Sequence, residues 1–399
     1  TNGKTTVSRL VAAMLASCGR RVGLATTDGL FVGARRIEGG DCAGPRSAAR
    51  LLLNPDVEAA VFEAGRGGIL REGLGFDRCE VAVVTNIAEA DHLGRHSVET
   101  PDDMFTVKRS PVDVVLPRGC AVLNAADPLV LQMAPLSAGA VILFALDASH
   151  PAIVGHRERK QRAAFVRDGA LVLAEGEAET TLLQIAAIPA THGGRVGFQV
   201  ENALAAAAAG WWLKVPFERL CEVLEAFGAA STDGRFELFQ RAGGPAVVVD
   251  DCHNTSALAA LGEALSGFPQ GQRTAVYSAG ARRRDADLVR QGEQLAALFD
   301  RVVLYDDASA FDRPPGEVRA LLRQGLAKGG RVREVTEIPD HRQAIEEALA
   351  AAQSDELVVV QSEDSGVGPA ASAVREWWAE GEEPGGRAVA ARPVARLVG

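Results

Sequence analysis

Apolar and polar positions along the chain fall into two alternating rhythms. From Thr5 to Ser17 apolar residues recur at Val7, Leu10, Val11, Met14 and Leu15, the spacing of one helix face. Short apolar runs at 21–26, 57–63, 81–86 and 121–124 read as strands, and the second is followed by a break at Gly65, Gly67 and Gly68. Residues 140–195 are less regular, apart from a predicted hairpin over 163–166 and 171–174 around the two-residue turn Asp168-Gly169. Helices are predicted over 202–213 and 217–227. Residues 228–234 (Gly-Ala-Ala-Ser-Thr-Asp-Gly) have the composition of a linker. Beyond it the rhythm restarts, with strands at 246–250, 274–278, 301–305 and 356–361 and helices at 256–265, 287–299, 315–326 and 341–352. Strands alternating with helices predict an α/β protein whose sheets are mainly parallel and covered on both faces. The expected division is a first domain over 1–230, a smaller one over 231–380, and a mobile tail over 381–399 rich in Gly, Pro, Ala and Arg. No internal repeat of fixed period is apparent.

Composition narrows the function classes. A chain of 399 residues, 47% hydrophobic and 24% charged, is neither disordered nor fibrous. Its formal charge of -10 argues against a general phosphate-backbone binder, so no nucleic-acid partner is expected. The six cysteines, at 18, 42, 79, 120, 221 and 252, form no Cys-x-x-Cys pair; they indicate neither a zinc ribbon nor a disulfide framework, and they fit a reducing cytoplasm. No run approaches the ~18–20 apolar residues of a membrane span, and the alanine run 203–209 reads as a buried helix. The chain opens Thr1-Asn2-Gly3-Lys4, inside what looks like a phosphate-binding motif, so the native start is expected upstream.

Several residues carry chemistry. Asn2-Gly3-Lys4-Thr5-Thr6 has the ending of a G-x-x-G-K-[ST] loop, whose backbone N–H groups and helix N-terminus cradle phosphate. Lys4 would reach the β/γ-phosphates and Thr5 would ligate Mg²⁺. A plain Gly-Lys-Thr turn opening a helix accounts for the same residues. Glu63 ends a strand, on the ligand side of an open α/β sheet, as a metal ligand or as a solvated strand-end carboxylate. Asn86, Asp91 and His92 follow another strand, where His92 could bind a metal or simply pack. Lys108 on the next helix is either a phosphate-binding or modified amine or an ordinary surface lysine. Asp250 closes the first strand of the second domain; it could accept from ribose hydroxyls, with His253 and Asn254 touching nucleotide or substrate, or Asn254 could be a helix N-cap. Arg282, Arg283 and Arg284 follow a further strand and suit an anion or a solvated loop.

The order of these elements resembles the Mur ligase superfamily: Gly-Lys-Thr-Thr, a strand-end Glu, Thr-Asn-Ile with Asp-His, a helix Lys, Asn202 in an alanine-rich helix, Gly-Arg-Phe at 234–236, then Asp-x-x-His-Asn. Longer strings look like the C-terminal, Mur-ligase-like half of the cyanophycin synthetase family. They are Thr26-Thr-Asp-Gly, Gly40-Asp-Cys-Ala-Gly-Pro, Arg66-Gly-Gly-Ile-Leu-Arg-Glu-Gly-Leu-Gly-Phe-Asp-Arg-Cys, Asp91-His-Leu-Gly, Thr191-His-Gly-Gly-Arg and Gly197-Phe-Gln-Val-Glu-Asn. The likeness runs from residue 1 to about 360.

The resemblance implies a fold and a reaction. The fold would be a P-loop-type central domain followed by a smaller Rossmann-like domain. In the reaction ATP phosphorylates a carboxylate and an amine attacks the acyl phosphate. In the family this half adds arginine to the β-carboxylate of an acidic polyaspartate primer, beside an upstream ATP-grasp region of the same polypeptide, in a homo-oligomer. It further implies Lys4 on the phosphates, with Asn2, Gly3, Thr5 and Thr6 around them. Thr5 and Glu63 would hold Mg²⁺, His92 would sit at a second Mg²⁺, and Lys108 matches a lysine carbamylated in several Mur ligases. Asn202 would lie on adenine, Arg235 on the γ-phosphate and Asp250 on ribose. Departures concentrate in the second domain: Asp-Tyr-Gly-His-Asn-Pro is Asp250-Asp-Cys-His-Asn-Thr, Gly-Asp-Arg-Arg-Asp is Ala281-Arg-Arg-Arg-Asp, and an arginine-rich stretch reads Asp306-Asp-Ala-Ser-Ala-Phe-Asp. In the first domain Asn-Ala-Asp-Asp-Pro has become Asn124-Ala-Ala-Asp-Pro. A degenerate Mur-like nucleotide-binding or scaffold module without ligase activity is the alternative these departures keep open; a simple P-loop nucleotidase or kinase is a third.

Overall fold

Glycine at position 3 and the apolar stripe behind it start the first element. Helix Lys4–Ser17 begins at Gly3, which is left-handed (φ 81), and buries Val7, Leu10, Val11 and Met14. The computed structural model describes residues 1–87, 93–94, 98–228, 234–280, 283–306, 313–362 and 369–380. They divide into two compact units, the first holding residues 1–87 and 98–228, the second residues 93–94 together with those of 234–380.

The first unit carries two sheets. Strands β1 (Val22–Thr26), β2 (Gly29–Val32), β3 (Arg35–Gly39) and β4 (Ala59–Phe62) form the first, in the order β3-β2-β1-β4. Its hairpins are antiparallel and only the β1–β4 pair is parallel. The second runs β10-β9-β8-β7-β6-β5, from β5 (Cys79–Val84), β6 (Val115–Asn124), β7 (Ala140–Ala145), β8 (Arg162–Arg167), β9 (Ala170–Glu175) and β10 (Ala178–Gln184). There β5 to β8 are parallel, and β8–β9–β10 is an antiparallel meander. The sequence pattern predicts mainly parallel sheets; the sheet of β1 to β4 is instead largely antiparallel. Its strands are four or five residues long, and every residue of β3 is exposed, so they carry little alternating signal. Helix Gly197–Trp212 buries its whole alanine run. Small side chains let it lie close to helix Lys4–Ser17 over one core with Val122, Ile142 and Phe144, against which Val61 of β4 and Val81 and Val83 of β5 also pack.

In the second unit β11 (Glu237–Gln240), β12 (Ala246–Asp250), β13 (Gln272–Tyr277), β14 (Arg301–Leu304), β15 (Glu334–Glu337) and β16 (Glu356–Gln361) form one sheet, ordered β11-β12-β16-β13-β14-β15. Only β11 is antiparallel to its neighbour. The buried valines of β12 and β16 read as continuous apolar runs because helices cover both faces. Polar residues that end parallel strands therefore gather at one sheet edge: Asp250 pairs in register with Gln361.

Candidate functional site

The turn into the first helix is built by its neighbours. Thr85 Oγ donates to the Asn2 carbonyl at 2.6 Å, and the Asn2 N–H donates to Asn86 Oδ1 at 2.8 Å. Asp127 fixes the same loop by accepting from the Ile87 N–H at 2.7 Å while capping the short helix Pro128–Leu131. Gly3 is required twice over. Its φ of 81 is left-handed, and a Cβ there would lie 2.1 Å from Asn202 Oδ1. Asn202 is buried, and its Nδ2 donates to Gln199 Oε1 at 3.1 Å. Gly3→Ala is expected to cost about 2 kcal/mol of stability from strain and overlap. Adding Asn202→Ala should recover part of that loss, read by chemical denaturation. Equal stability of Gly3→Ala and the parent chain would show that the turn relaxes freely.

Glu63, buried just beyond β4, is the centre of the constellation. Thr5 Oγ donates to its Oε2 at 2.8 Å, the Thr27 N–H donates at 3.2 Å and Thr27 Oγ at 3.4 Å, and Lys4 Nζ stands 3.7 Å from Oε1. Lys4 also donates to the Thr1 carbonyl at 2.5 Å, and Lys108 Nζ to the Thr1 hydroxyl at 3.1 Å. The structure thus brings Lys4, Thr5, Glu63 and Lys108 together around the first turn. Thr6 is buried in the same turn, whose N–H groups have no intrahelical acceptor. The set Thr5, Thr27 and Glu63 offers hard oxygen donors at close range, the chemistry that suits Mg²⁺, which takes its remaining ligands from water and phosphate.

Thr27 was not among the residues the sequence singled out for chemistry. Its signal is a hydroxyl in the Thr26-Thr-Asp-Gly turn, held in place by an ion pair. Arg9, on the first helix, lies 3.1 Å from Asp28, whose side chain is 3% exposed, and Arg36 donates to the Asp28 carbonyl at 2.7 Å. The β1–β2 turn is thereby tied to the helix that carries Lys4 and Thr5. Asp127 was also missed; only the altered Asn124-Ala-Ala-Asp-Pro string pointed to it. His92, Asp91 and Arg282 lie outside the described residues.

The second unit holds its own group. Asp250 is buried, which pushes its carboxyl up to about 7, and the charge of Asp251 adds to this; an N–H from Phe236 and the charges of Arg235 and His253 oppose it. His253 Nδ1 lies 2.7 Å from Asp251 Oδ1. Asn254 is engaged as a helix N-cap, its Oδ1 accepting from the Ala257 N–H at 2.7 Å and from Ser256 Oγ at 2.8 Å. Burial also raises the Cys252 thiol well above its ordinary range. Among the described residues no group of three or more His, Cys, Asp or Glu is placed to hold a metal ion, and no described helix is long and apolar enough to cross a membrane.

These features define a class: an α/β protein of two units, the first opening on a glycine-led helix beside a buried strand-end glutamate. Family comparison goes further. Residues 1–210 match the Mur ligase middle domain and residues 234–363 the Mur ligase, glutamate ligase domain. The chain belongs to the Mur ligase family. It is 38% identical over 362 residues to a cyanophycin synthetase of Crocosphaera subtropica, and 37% identical over 365 residues to that of Trichormus variabilis. These alignments cover 90% and 91% of this chain but 41% and 40% of those proteins, so the chain spans about two fifths of their length. A UDP-N-acetylmuramoyl-L-alanyl-D-glutamate–2,6-diaminopimelate ligase of Caldanaerobacter subterraneus is 26% identical, over 90% of this chain and 70% of its own. Among solved structures, Escherichia coli FolC in complex with DHPP and ADP shares the fold at 17% identity, with a TM-score of 0.66 over 95% of this chain and 87% of that one. A pseudomurein peptide ligase type C from Methanothermus fervidus shares it at 18%, with a TM-score of 0.64 over 94% and 77%.

Proposed function

We propose that this chain is the amide-forming part of an ATP- and Mg²⁺-dependent acid–amino-acid ligase of the cyanophycin synthetase type. In this reading the γ-phosphoryl group of ATP passes to a β-carboxylate oxygen of a polyaspartate primer and ADP departs. The α-amine of arginine then attacks the acyl carbon, phosphate leaves, and the amine loses a proton as the amide forms. The observation that carries the reading is the buried Glu63 held by Thr5, Thr27 and Lys4 at a glycine-led helix N-terminus, in a chain of the Mur ligase family. When bound, Mg²⁺ would neutralise phosphate charge, with Thr5 and Glu63 as its protein ligands. Lys4 would hold the transferring phosphate, and positioning with charge neutralisation would supply most of the rate. Lys108, which reaches the same turn, would bind phosphate or, if carbamylated, a second ion with His92. Asp250 would accept from ribose. The upstream ATP-grasp region, homo-oligomerisation and a cytoplasmic location belong to the same proposal.

The test is ATP-dependent incorporation of labelled arginine into a short β-Asp-Arg primer by the protein with its upstream region, with lysine and ornithine as competitors. Incorporation abolished by Lys4→Ala supports the ligase. Nucleotide binding with no incorporation of any amine would overturn it in favour of a degenerate module, the reading that the altered 250–255 and 281–285 strings favour. Within an active enzyme, Thr27→Val is expected to raise the Mg²⁺ concentration for half-maximal turnover about tenfold, with Thr27→Ser close to the parent. An unchanged Mg²⁺ requirement would remove Thr27 from the ion's surroundings.

A further inference from the structure

We propose that the first unit has a second binding site, for an acidic peptide, at the opposite end of its parallel strands from the Lys4 turn. The choice of ligand rests on the ligase reading above. A cavity of about 710 Å³ lies where β5 and β8 begin, at Glu80 and Arg162, and where helix Gly197–Trp212 ends. The Lys4 turn contacts residues 85–86, beyond the other end of β5. The cavity is within the size range of ligand sites.

Its lining has two components. The Arg162 guanidinium lies over both indoles, 4.5 Å from the Trp211 ring centre and 5.5 Å from that of Trp212, while its Nε pairs with Glu175 at 3.1 Å. This places one cation against two indoles. Arg118 and Lys214 supply two more cations; both are exposed, and neither makes an ion pair among the described residues. Arg162 is balanced by Glu175, so the lining sets the two unpaired cations Arg118 and Lys214 against one carboxylate, Glu80, although the chain as a whole carries -10. The lining thus carries a small excess of positive charge on a chain that is negative overall, which favours an anionic occupant.

Lys214 adds a backbone argument. It is left-handed at φ 61 just past the helix end, a position where glycine is the unstrained choice. A lysine there adds a cation to the cavity lining. Spaced carboxylates on a flexible chain match cations spread along a groove. An enzyme that extends a polymer gains from a second hold, because a tethered chain end returns to the active site at raised effective concentration.

The experiment is a titration of the 399-residue chain with a ten-residue aspartate peptide, without nucleotide, followed by tryptophan fluorescence at low salt and at 0.5 M salt. The expected result is saturable quenching that weakens with salt. Arg118→Glu combined with Lys214→Glu should weaken binding at least tenfold, and Lys4→Ala should leave it unchanged. Lys214→Gly relieves the left-handed strain, so it should bind peptide less tightly with a Tm no lower than the parent's; this separates loss of the site from loss of the fold. Peptide binding indifferent to the Arg118 and Lys214 changes overturns the proposal. So does equal binding of an uncharged Gly-Ser peptide, or a concentration-dependent shift in tryptophan emission without peptide, which would assign the face to a second copy of the chain. Because no nucleotide is present, the result is separable from success or failure of the ligase assay.

Discussion

Lys4→Ala is expected to lower amide-forming turnover about 10³-fold, roughly 4 kcal/mol of transition-state stabilisation. The ammonium is positioned by two fixed partners, the Thr1 carbonyl at 2.5 Å and Glu63 at 3.7 Å. Neither needs to move far to yield it to a phosphate oxygen. Its charge acts beside a carboxylate whose side chain is only 1% exposed, where screening by water is weak. Alanine removes that charge and leaves Glu63 with hydroxyl and N–H donors alone, so stability should fall as well. Lys4→Arg separates the two effects. A guanidinium keeps the charge but presents a wide planar fork to a turn whose glycine already touches Asn202, so it should restore stability more than turnover. Single-turnover rates at saturating ATP, read with Tm, are the measurement. Turnover of Lys4→Ala within tenfold of the parent would remove Lys4 from the phosphate.

The resemblance to the Mur ligases is what grouped Lys4 with Glu63 in the sequence. Local rules alone admit two readings of each: a glycine-lysine-threonine turn opens a helix with or without a phosphate, and a carboxylate beyond a parallel strand is a ligand or a solvated strand end. Strands β12, β13, β14 and β16 of the second unit were legible in the sequence, since runs such as Val247–Val249 are apolar throughout; β11 and the largely exposed β15, four residues each, were not. What sequence could not supply was pairing between distant segments. Thr27 acquires its place from β1 lying parallel to β4, which sets the turn after one strand beside the end of the other. The Arg9–Asp28 pair is likewise a product of that packing. Strand β7, Ala140–Ala145, was lost in a stretch read as irregular because a short, fully apolar run has no period to distinguish strand from helix. Asn254 shows the converse. Its spacing before a helix admits both a cap and a ligand contact, and in the folded chain its carboxamide oxygen is engaged by the helix.

Asp250→Asn is expected to stabilise the protein at pH 8 and to change it little at pH 4. The side chain is buried, so its ionised form is disfavoured, and the neighbouring charge of Asp251 disfavours it further; the carboxyl rises from about 3.8 to about 7. The folded chain therefore holds a proton between those values that the unfolded chain has released. Stability falls as pH rises through that window and levels off above pH 7, and the gap sets a ceiling of about 4 kcal/mol. Asparagine keeps the shape and can still accept from the Phe236 N–H, but it has no charge to desolvate. Urea unfolding of both chains at pH 4, 6 and 8 isolates this group, since other carboxylates cancel in the difference. A difference that is the same at pH 4 and pH 8 would show that Asp250 is not the group responsible. The opposite sign is expected for nucleotide binding if Asp250 accepts from ribose hydroxyls. At pH 8 the asparagine variant should be the more stable protein and the weaker binder. A carboxylate retained at a cost to the fold is accounted for by a ligand that needs it, and a variant that gained stability without losing nucleotide affinity would leave that cost without a functional reason.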